Sequence, residues 1–193
     1  MALLTIAEIV NMFILTFALG YIFSGFIRAP GRRVYTLHAR KTFDWESLKL
    51  AAAIGAPAVI LHELGHKFTA IAFGFNASFE IFWGGLALGI ILKLVSAPFL
   101  ILAPAYVTIP SNIPPLASAL IAFAGPAVNL ILWLVSSYLL KTGHYRRKTV
   151  YALVLTREIN KLLFIFNLIP IPPLDGFKVL SGLAKFFGSI FSF

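Results

Sequence analysis

The stretch LKLAAAIGAPAVILHELGHKFTAIAF, residues 48–73, decides the architecture of this chain. It is almost entirely apolar, yet it contains His62, Glu63 and His66. In a helix, residues four apart lie one turn apart on the same face, so the two imidazoles can bind one metal ion. Because a charged group at bilayer depth costs roughly 2.5–3.5 kcal/mol or more, these polar residues predict a functional site.

The composition of the 193 residues predicts an integral membrane protein. Hydrophobic residues make up 60% and charged residues 12%, whereas a soluble domain carries about 25% charged residues. Most of the basic residues behind the net charge of +9 lie in two connectors, residues 28–41 and 141–148. This placement favours contact with lipid headgroups and gives no sign of nucleic-acid binding. Cysteine is absent, so any metal must be bound by histidine and carboxylate.

The apolar spans predict a mainly α, polytopic membrane protein with a single domain, residues 1–193. Four transmembrane helices are expected, at about residues 5–27, 47–73, 116–140 and 149–169, the last leading into the Leu-Asp-Gly sequence at 174–176. Asp44 is the expected N-cap of the second helix. The first span is too long for the apolar part of a signal peptide, so we expect it to be retained. A short amphipathic tail helix is expected at residues 177–193.

The segment at residues 74–115 contains too many glycines and prolines to form a spanning helix. Short apolar runs at residues 79–83, 88–92 and 99–102 instead predict strands. We therefore expect a small β-rich, membrane-associated insert at about residues 77–103. An edge of such a sheet could hold an extended peptide by strand addition.

A third metal ligand is needed, because a catalytic zinc site usually has three protein ligands and a water. The remaining carboxylates, His38 and His144 are all candidates. Asp175 differs from the others because it follows a proline-rich exit from an apolar helix and has no basic residue within two positions. Taken alone, Asp175 is more simply a turn residue, since Leu-Asp-Gly is common in turns. Asn129 and Asn167 likewise have a simpler interpretation, as hydrogen-bonding residues between helices.

Three motifs together resemble the site-2 protease family of intramembrane zinc metalloproteases. They are HELGH at residues 62–66, Gly-Pro-x-x-Asn at 125–129 and Asn-x-x-Pro-x-x-x-Leu-Asp-Gly at 167–176. Their order along the chain and their placement on apolar segments match the family. A β-rich insert after the HELGH helix fits the family as well.

The resemblance implies a site and a cofactor. It implies one zinc ion per chain, with His62, His66 and Asp175 as its ligands. It implies Glu63 as the catalytic base. It also implies that Asn167, and Asn129 with it, hydrogen-bond the substrate or the oxyanion formed during cleavage.

The function expected from these features is a zinc-dependent endopeptidase in a cell membrane. Its partners would be the lipid bilayer and membrane-anchored proteins, cut within or near their transmembrane segments as in regulated intramembrane proteolysis. One alternative is a catalytically silent protein that binds transmembrane helices, although the intact Glu63 argues against it. Another is a metal or ion transporter, which would need a chain of carboxylates across the bilayer. The positive-inside rule predicts cytosolic connectors, whereas the family resemblance implies the opposite orientation.

Overall fold

The computed structural model describes residues 3–27, 44–97 and 104–191. Within these ranges the chain forms six helices and two strands. In chain order they are α1 (Ile6–Phe23), α2 (Trp45–Ala72), β1 (Ser78–Ile81), α3 (Trp83–Leu94), β2 (Ala105–Thr108), α4 (Pro115–Thr142), α5 (Arg147–Asn167) and α6 (Asp175–Phe191). Helix α2 carries the HELGH sequence, and it begins after Asp44, whose carboxylate accepts a hydrogen bond from the backbone of Ser47 at 3.2 Å. The prediction of Asp44 as N-cap is confirmed.

Three helices, α1, α2 and α4, are long and apolar enough to cross a membrane. The sequence predicted four spans, and the fourth of them corresponds to α5. That segment is helical, but it does not meet the same criterion, because Arg157, Glu158 and Lys161 lie near its middle. Arg157 and Glu158 form an ion pair at 2.6 Å on the exposed side of the helix. Charged side chains in the middle of a helix are costly to place in the hydrocarbon of a bilayer. In this respect α5 differs from the three apolar helices.

The insert after α2 differs from the predicted β-rich segment. The run at 79–83 does contribute a strand, β1, but the run at 88–92 lies within helix α3. The run at 99–102 lies outside the described residues. The partner of β1 is β2, which lies beyond the predicted limit of residue 103 and pairs with β1 in antiparallel register.

Helix α3 forms because tertiary contacts override the local pattern. A short apolar run fits a strand and a buried helix equally well, so the sequence does not separate them. Gly85 and Gly89, which resemble strand breakers, are buried one helical turn apart. Lys93 near the end of α3 donates hydrogen bonds to the carbonyl oxygen of Tyr21 and, at 2.7 Å, to the hydroxyl of Ser24. Helix α3 is thereby attached to the C-terminal end of α1.

A buried ion pair joins α1, α2 and the sheet. Glu8 of α1 and Lys67 of α2 are 4% and 1% exposed, and their charged groups are in direct contact. The same Glu8 carboxylate accepts hydrogen bonds from the backbone of Phe79 in β1 at 2.7 Å and from that of Thr5 at 2.8 Å. Removing one partner would leave an unpaired buried charge and typically costs about 3–5 kcal/mol. Through Glu8, β1 is thus connected to both α1 and the HELGH helix.

Helix α4 packs against α2, α5 and α6. It approaches α2 closely at Gly65, where a Cβ atom would lie 2.9 Å from the carbonyl oxygen of Ala124 and 2.9 Å from a methyl group of Val128. The glycine of the HELGH sequence therefore permits the backbones of α2 and α4 to meet. The polar cluster described next lies where α2, α4 and α6 converge.

Candidate metal centre

Three potential metal ligands converge on one point. His62 and His66 lie one turn apart on α2, and their Nε2 atoms are 3.1 Å apart. Asp175 is the first residue of α6, and its Oδ2 atom lies 3.1 Å from Nε2 of His62 and 3.3 Å from Nε2 of His66. All three residues are buried. The sequence placed the tail helix at residue 177, but it begins two residues earlier, with Asp175 in its first turn.

The tautomer of His66 follows from its hydrogen bond to the backbone. Its Nδ1 atom lies 2.7 Å from the carbonyl oxygen of Ile121 in α4. A carbonyl oxygen only accepts, so Nδ1 carries the proton. In the neutral imidazole, Nε2 then has a free lone pair directed at Asp175.

The tautomer of His62 is set by Asn129. The Nδ1 atom of His62 lies 2.6 Å from Oδ1 of Asn129. The amide nitrogen of Asn129 donates to the carbonyl oxygen of Ala58 at 3.1 Å and to Oδ1 of Asn160 at 2.8 Å. The amide oxygen must therefore face His62, and Nδ1 of His62 is the donor. The Nε2 lone pairs of both histidines point towards the same carboxylate.

This cluster requires positive charge, and zinc fits it. With Nδ1 protonated on both histidines, neither Nε2 atom can donate to Asp175, so three electron-rich atoms face one another. A metal cation would supply positive charge to all three atoms at once. In a tetrahedral zinc site with bonds of about 2.0–2.1 Å, ligand atoms are about 3.3 Å apart. The separations of 3.1–3.3 Å match that spacing. Three protein ligands would leave a fourth position open, as in catalytic sites.

Gly125 of α4 closes one side of the cluster. A Cβ atom at this position would lie 2.7 Å from Nε2 of His62 and closer still to Nε2 of His66. Real Cβ atoms essentially never approach other atoms so closely. The glycine of the Gly-Pro-x-x-Asn motif is therefore needed for the imidazoles to keep their positions.

We expect Gly125→Ala to lower zinc affinity by about tenfold or more. The added methyl group would push the two ligating nitrogens away from Asp175, and overpacking of this kind typically costs about 1–3 kcal/mol. Zinc affinity can be measured by competition with a chelator. Gly188→Ala in α6 is the matched control, because a Cβ there would meet no atom within 4 Å. Unchanged affinity in Gly125→Ala would mean that the cluster adjusts to the methyl group.

Two further charged groups lie beside the cluster. Glu63 of α2 is half-buried, and the charges of Asp175 and Lys178 act on its carboxylate. The Nζ atom of Lys178 lies 4.0 Å from Oδ1 of Asp175, and its side chain is 61% exposed. The sequence analysis did not single out Lys178, although a spacing of three residues places it on the same face of α6 as Asp175.

The three asparagines of the site have different surroundings. Asn129 is fully buried, and both hydrogens of its amide are already donated, so none is left for an oxyanion. Asn167 is the last residue of α5, is half-buried, and has no side-chain hydrogen bond to another residue in the described ranges. Asn160 was missed by the sequence analysis. Its position two turns before Asn167 puts both on one face of α5, and this spacing could have pointed to it.

Comparison with known proteins gives two relatives. The chain is 35% identical over 128 residues to "Putative zinc metalloprotease MJ0611" of Methanocaldococcus jannaschii, and the match covers 66% of each chain. It is 34% identical over 143 residues to "Putative zinc metalloprotease YwhC" of Bacillus subtilis, with 64% of each chain covered. These names indicate a metalloprotease. The match spans just under two thirds of the length of each relative.

The relatives and the geometry agree on the metal. The cluster of His62, His66 and Asp175 is compatible with the zinc that both relatives carry in their names. No protein-family profile matches the chain. No solved structure matches it either.

Proposed function

We propose that this protein is a zinc-dependent endopeptidase that cleaves membrane-anchored proteins within or near their transmembrane segments. One observation carries the proposal. His62, His66 and Asp175 converge as a group that could hold one metal ion, and His62, Glu63 and His66 all lie on a helix that is long and apolar enough to cross a membrane. A site at that position is most easily reached by a substrate that is itself embedded in lipid. The similarity to two zinc metalloproteases supports the hydrolytic part of the proposal.

The residues of the site have separate roles in the proposed reaction. His62, His66 and Asp175 would hold zinc, which when bound polarises a peptide carbonyl and lowers the pKa of a water molecule towards about 7. Glu63 would accept a proton from the attacking water molecule, whose oxygen forms the new bond to the carbonyl carbon. Glu63 then gives the proton to the leaving amine as the C–N bond breaks. Asn167, whose side chain makes no hydrogen bond to another of the described residues, would donate to the substrate carbonyl oxygen.

The membrane part of the proposal is tested by reconstitution. The purified protein is placed in lipid vesicles with zinc, together with a single-span model substrate. A soluble peptide with the same sequence around the cut serves as the comparison. We expect cleavage of the membrane-anchored substrate within or near its span. Cleavage of the soluble peptide alone would leave a metalloprotease but would rule out intramembrane cleavage.

The hydrogen-bond pattern of the sheet indicates which edge is available to an extended substrate. The backbone N–H of Phe82 donates to the carbonyl oxygen of Pro104 at 3.0 Å and continues the register of β1 and β2. Alternate residues of an antiparallel strand bond to opposite sides, so the N–H of Phe79 points away from β2. That N–H is already bonded to Glu8. The outer edge of β1 is therefore partly occupied.

The outer edge of β2 is the better candidate for substrate capture. The backbone groups of Ala105 and Val107 point away from β1 by the same alternation. Neither residue has a backbone partner on that side within residues 3–27, 44–97 and 104–191. We propose that an unwound substrate segment pairs with β2 there, which gives main-chain hydrogen bonds without a sequence requirement. The sequence alone predicts this role for the strands at about residues 77–103, whereas β2 lies at Ala105–Thr108.

Val107→Pro is expected to slow cleavage by roughly three- to tenfold with zinc content unchanged. Proline removes one N–H from the outer edge, and one hydrogen bond contributes about 0.5–1.5 kcal/mol. An outward-facing position on an edge strand tolerates proline without loss of the sheet. The measurement is the initial cleavage rate of the membrane-anchored substrate. Val107→Thr keeps both the N–H and the β-branch and serves as the control, and equal rates for the two variants would argue against capture at β2.

A further inference from the structure

A chain of buried hydrogen bonds runs from helix α5 to the HELGH helix. Nδ2 of Asn160 donates to the carbonyl oxygen of Thr156 at 2.8 Å. Oδ1 of Asn160 accepts from Nδ2 of Asn129 at 2.8 Å, and Oδ1 of Asn129 accepts from Nδ1 of His62 at 2.6 Å. Asn129 and Asn160 are 0% and 1% exposed. Three helices, α2, α4 and α5, thus share one continuous polar connection in an apolar surrounding.

Every bond in this chain has a fixed direction. The carbonyl oxygen of Thr156 only accepts, so it orients the amide nitrogen of Asn160 towards itself. The amide oxygen of Asn160 must then face Asn129 and bind its nitrogen. This turns the oxygen of Asn129 towards His62, which donates from Nδ1. The Nε2 atom of His62 consequently keeps its lone pair, which is available to bind a metal ion.

The opposite orientation of Asn129 would disable the site. With its amide reversed, Asn129 would present N–H groups to Nδ1 of His62, and the histidine proton would have to move to Nε2. A protonated Nε2 cannot bind a metal ion. Two acceptors oppose this reversal, the carbonyl oxygen of Ala58 and Oδ1 of Asn160. Without Asn160, only Ala58 would hold the amide in its working orientation.

We propose that Asn160 is a positioning residue that fixes the amide of Asn129 and, through it, the metal-binding tautomer of His62. The proposal rests on the zinc site proposed above. Asn160 touches neither the metal ligands nor a substrate directly. Replacing Asn160 should therefore change metal affinity and the geometry of the ligands. Replacing a residue with a purely structural role would leave both unchanged, provided that the variant folds. Groups that orient a metal-binding histidine typically contribute about 10–100-fold to metal affinity.

The experiment compares two substitutions with different hydrogen-bonding capacity. Asn160→Leu has the same branched shape but offers no acceptor, so we expect its zinc affinity to fall about tenfold or more. At this buried position Asn160→Asp is expected to be protonated, so its O–H can donate to Thr156 and its C=O can accept from Asn129. We therefore expect an affinity within about threefold of the unmodified protein. Affinity is measured by chelator competition in detergent. The visible absorption spectrum of the cobalt-substituted protein reports ligand geometry and should change in the leucine variant alone.

The control is Ser136→Ala in α4. Ser136 is also a buried polar residue, but its hydroxyl bonds only to carbonyl oxygens of its own helix, those of Leu132 and Trp133. A folded Asn160→Leu variant that binds zinc as tightly as the control would overturn the proposal. If the leucine variant does not fold, the aspartate variant provides the test. A tenfold loss of zinc affinity in Asn160→Asp would then overturn the proposal.

Failure of this inference can be told apart from failure of the proposed function. The Asn160 comparison requires metal binding only and makes no use of peptide cleavage. If the unmodified protein binds no zinc, the proposed function itself fails. If it binds zinc and the leucine variant binds zinc equally well, the positioning role alone fails.

Discussion

Glu63→Gln is expected to reduce peptide cleavage by at least about a hundredfold, since general acid–base catalysis typically contributes about 10²–10⁴-fold. Glutamine is nearly isosteric with glutamate but cannot take the proton of the attacking water. Glu63 lies beside the metal cluster and is not one of its three ligands, so zinc content should remain at one per chain. The measurement pairs the cleavage rate of a membrane-anchored substrate with metal analysis of the same preparation.

The matched control for this experiment is Glu46→Gln. Glu46 lies on the same helix, but it is exposed and pairs with Lys49 at 3.2 Å, far from the site in sequence. We expect this variant to cleave at the unmodified rate. Near-normal cleavage by Glu63→Gln would remove Glu63 as the base. Binding of the substrate without cleavage by the unmodified protein would instead favour the catalytically silent alternative.

Asp175→Ala is expected to abolish both zinc binding and cleavage. The substitution removes the only carboxylate among the three converging groups and leaves two histidines, which is one protein ligand fewer than a catalytic zinc site usually has. Loss of a group that only orients a ligand costs about 10–100-fold in affinity, so loss of the ligand itself should exceed that. Zinc per chain after dialysis and the chelator-competition affinity are the two measurements.

Glu158→Ala is the control for Asp175→Ala. Glu158 is an exposed carboxylate on α5 that pairs with Arg157, and its removal should leave zinc at one per chain. Stoichiometric zinc in Asp175→Ala would show that another group completes the site. Reduced zinc in both variants would point to a general loss of stability and would contradict the specific role of Asp175.

The similarity to known metalloproteases and the geometry constrain different parts of the proposal. The relatives support the reaction class and the metal. The geometry adds the direction of each hydrogen bond around the histidines, the space that Gly125 leaves, and the edge of β2 that lacks a backbone partner among the described residues. Three helices that are long and apolar enough to cross a membrane support the proposed membrane setting.

The sequence by itself determined the features that depend on local spacing. His62 and His66 had to share a face of one helix, because a separation of four residues brings two side chains together within any α-helix. The N-cap at Asp44 and the three apolar spans follow from neighbouring residues in the same way. The choice of Asp175 drew on family resemblance, since its spacing of 113 residues from His62 carries no local geometric information.

Only the tertiary structure decided the features that depend on contacts between distant segments. Residues 88–92 lie within α3, whose Lys93 donates to Ser24 beyond the end of α1, although the apolar pattern alone fits a strand as well as a helix. Asn129 was a candidate for substrate binding until the structure placed Ala58 and Asn160 on its amide nitrogen. The occupied edge of β1 likewise depends on Glu8, which lies 71 residues away from Phe79. Hydrogen-bond direction is set by whichever partner the fold brings close, and a sequence pattern does not contain that information.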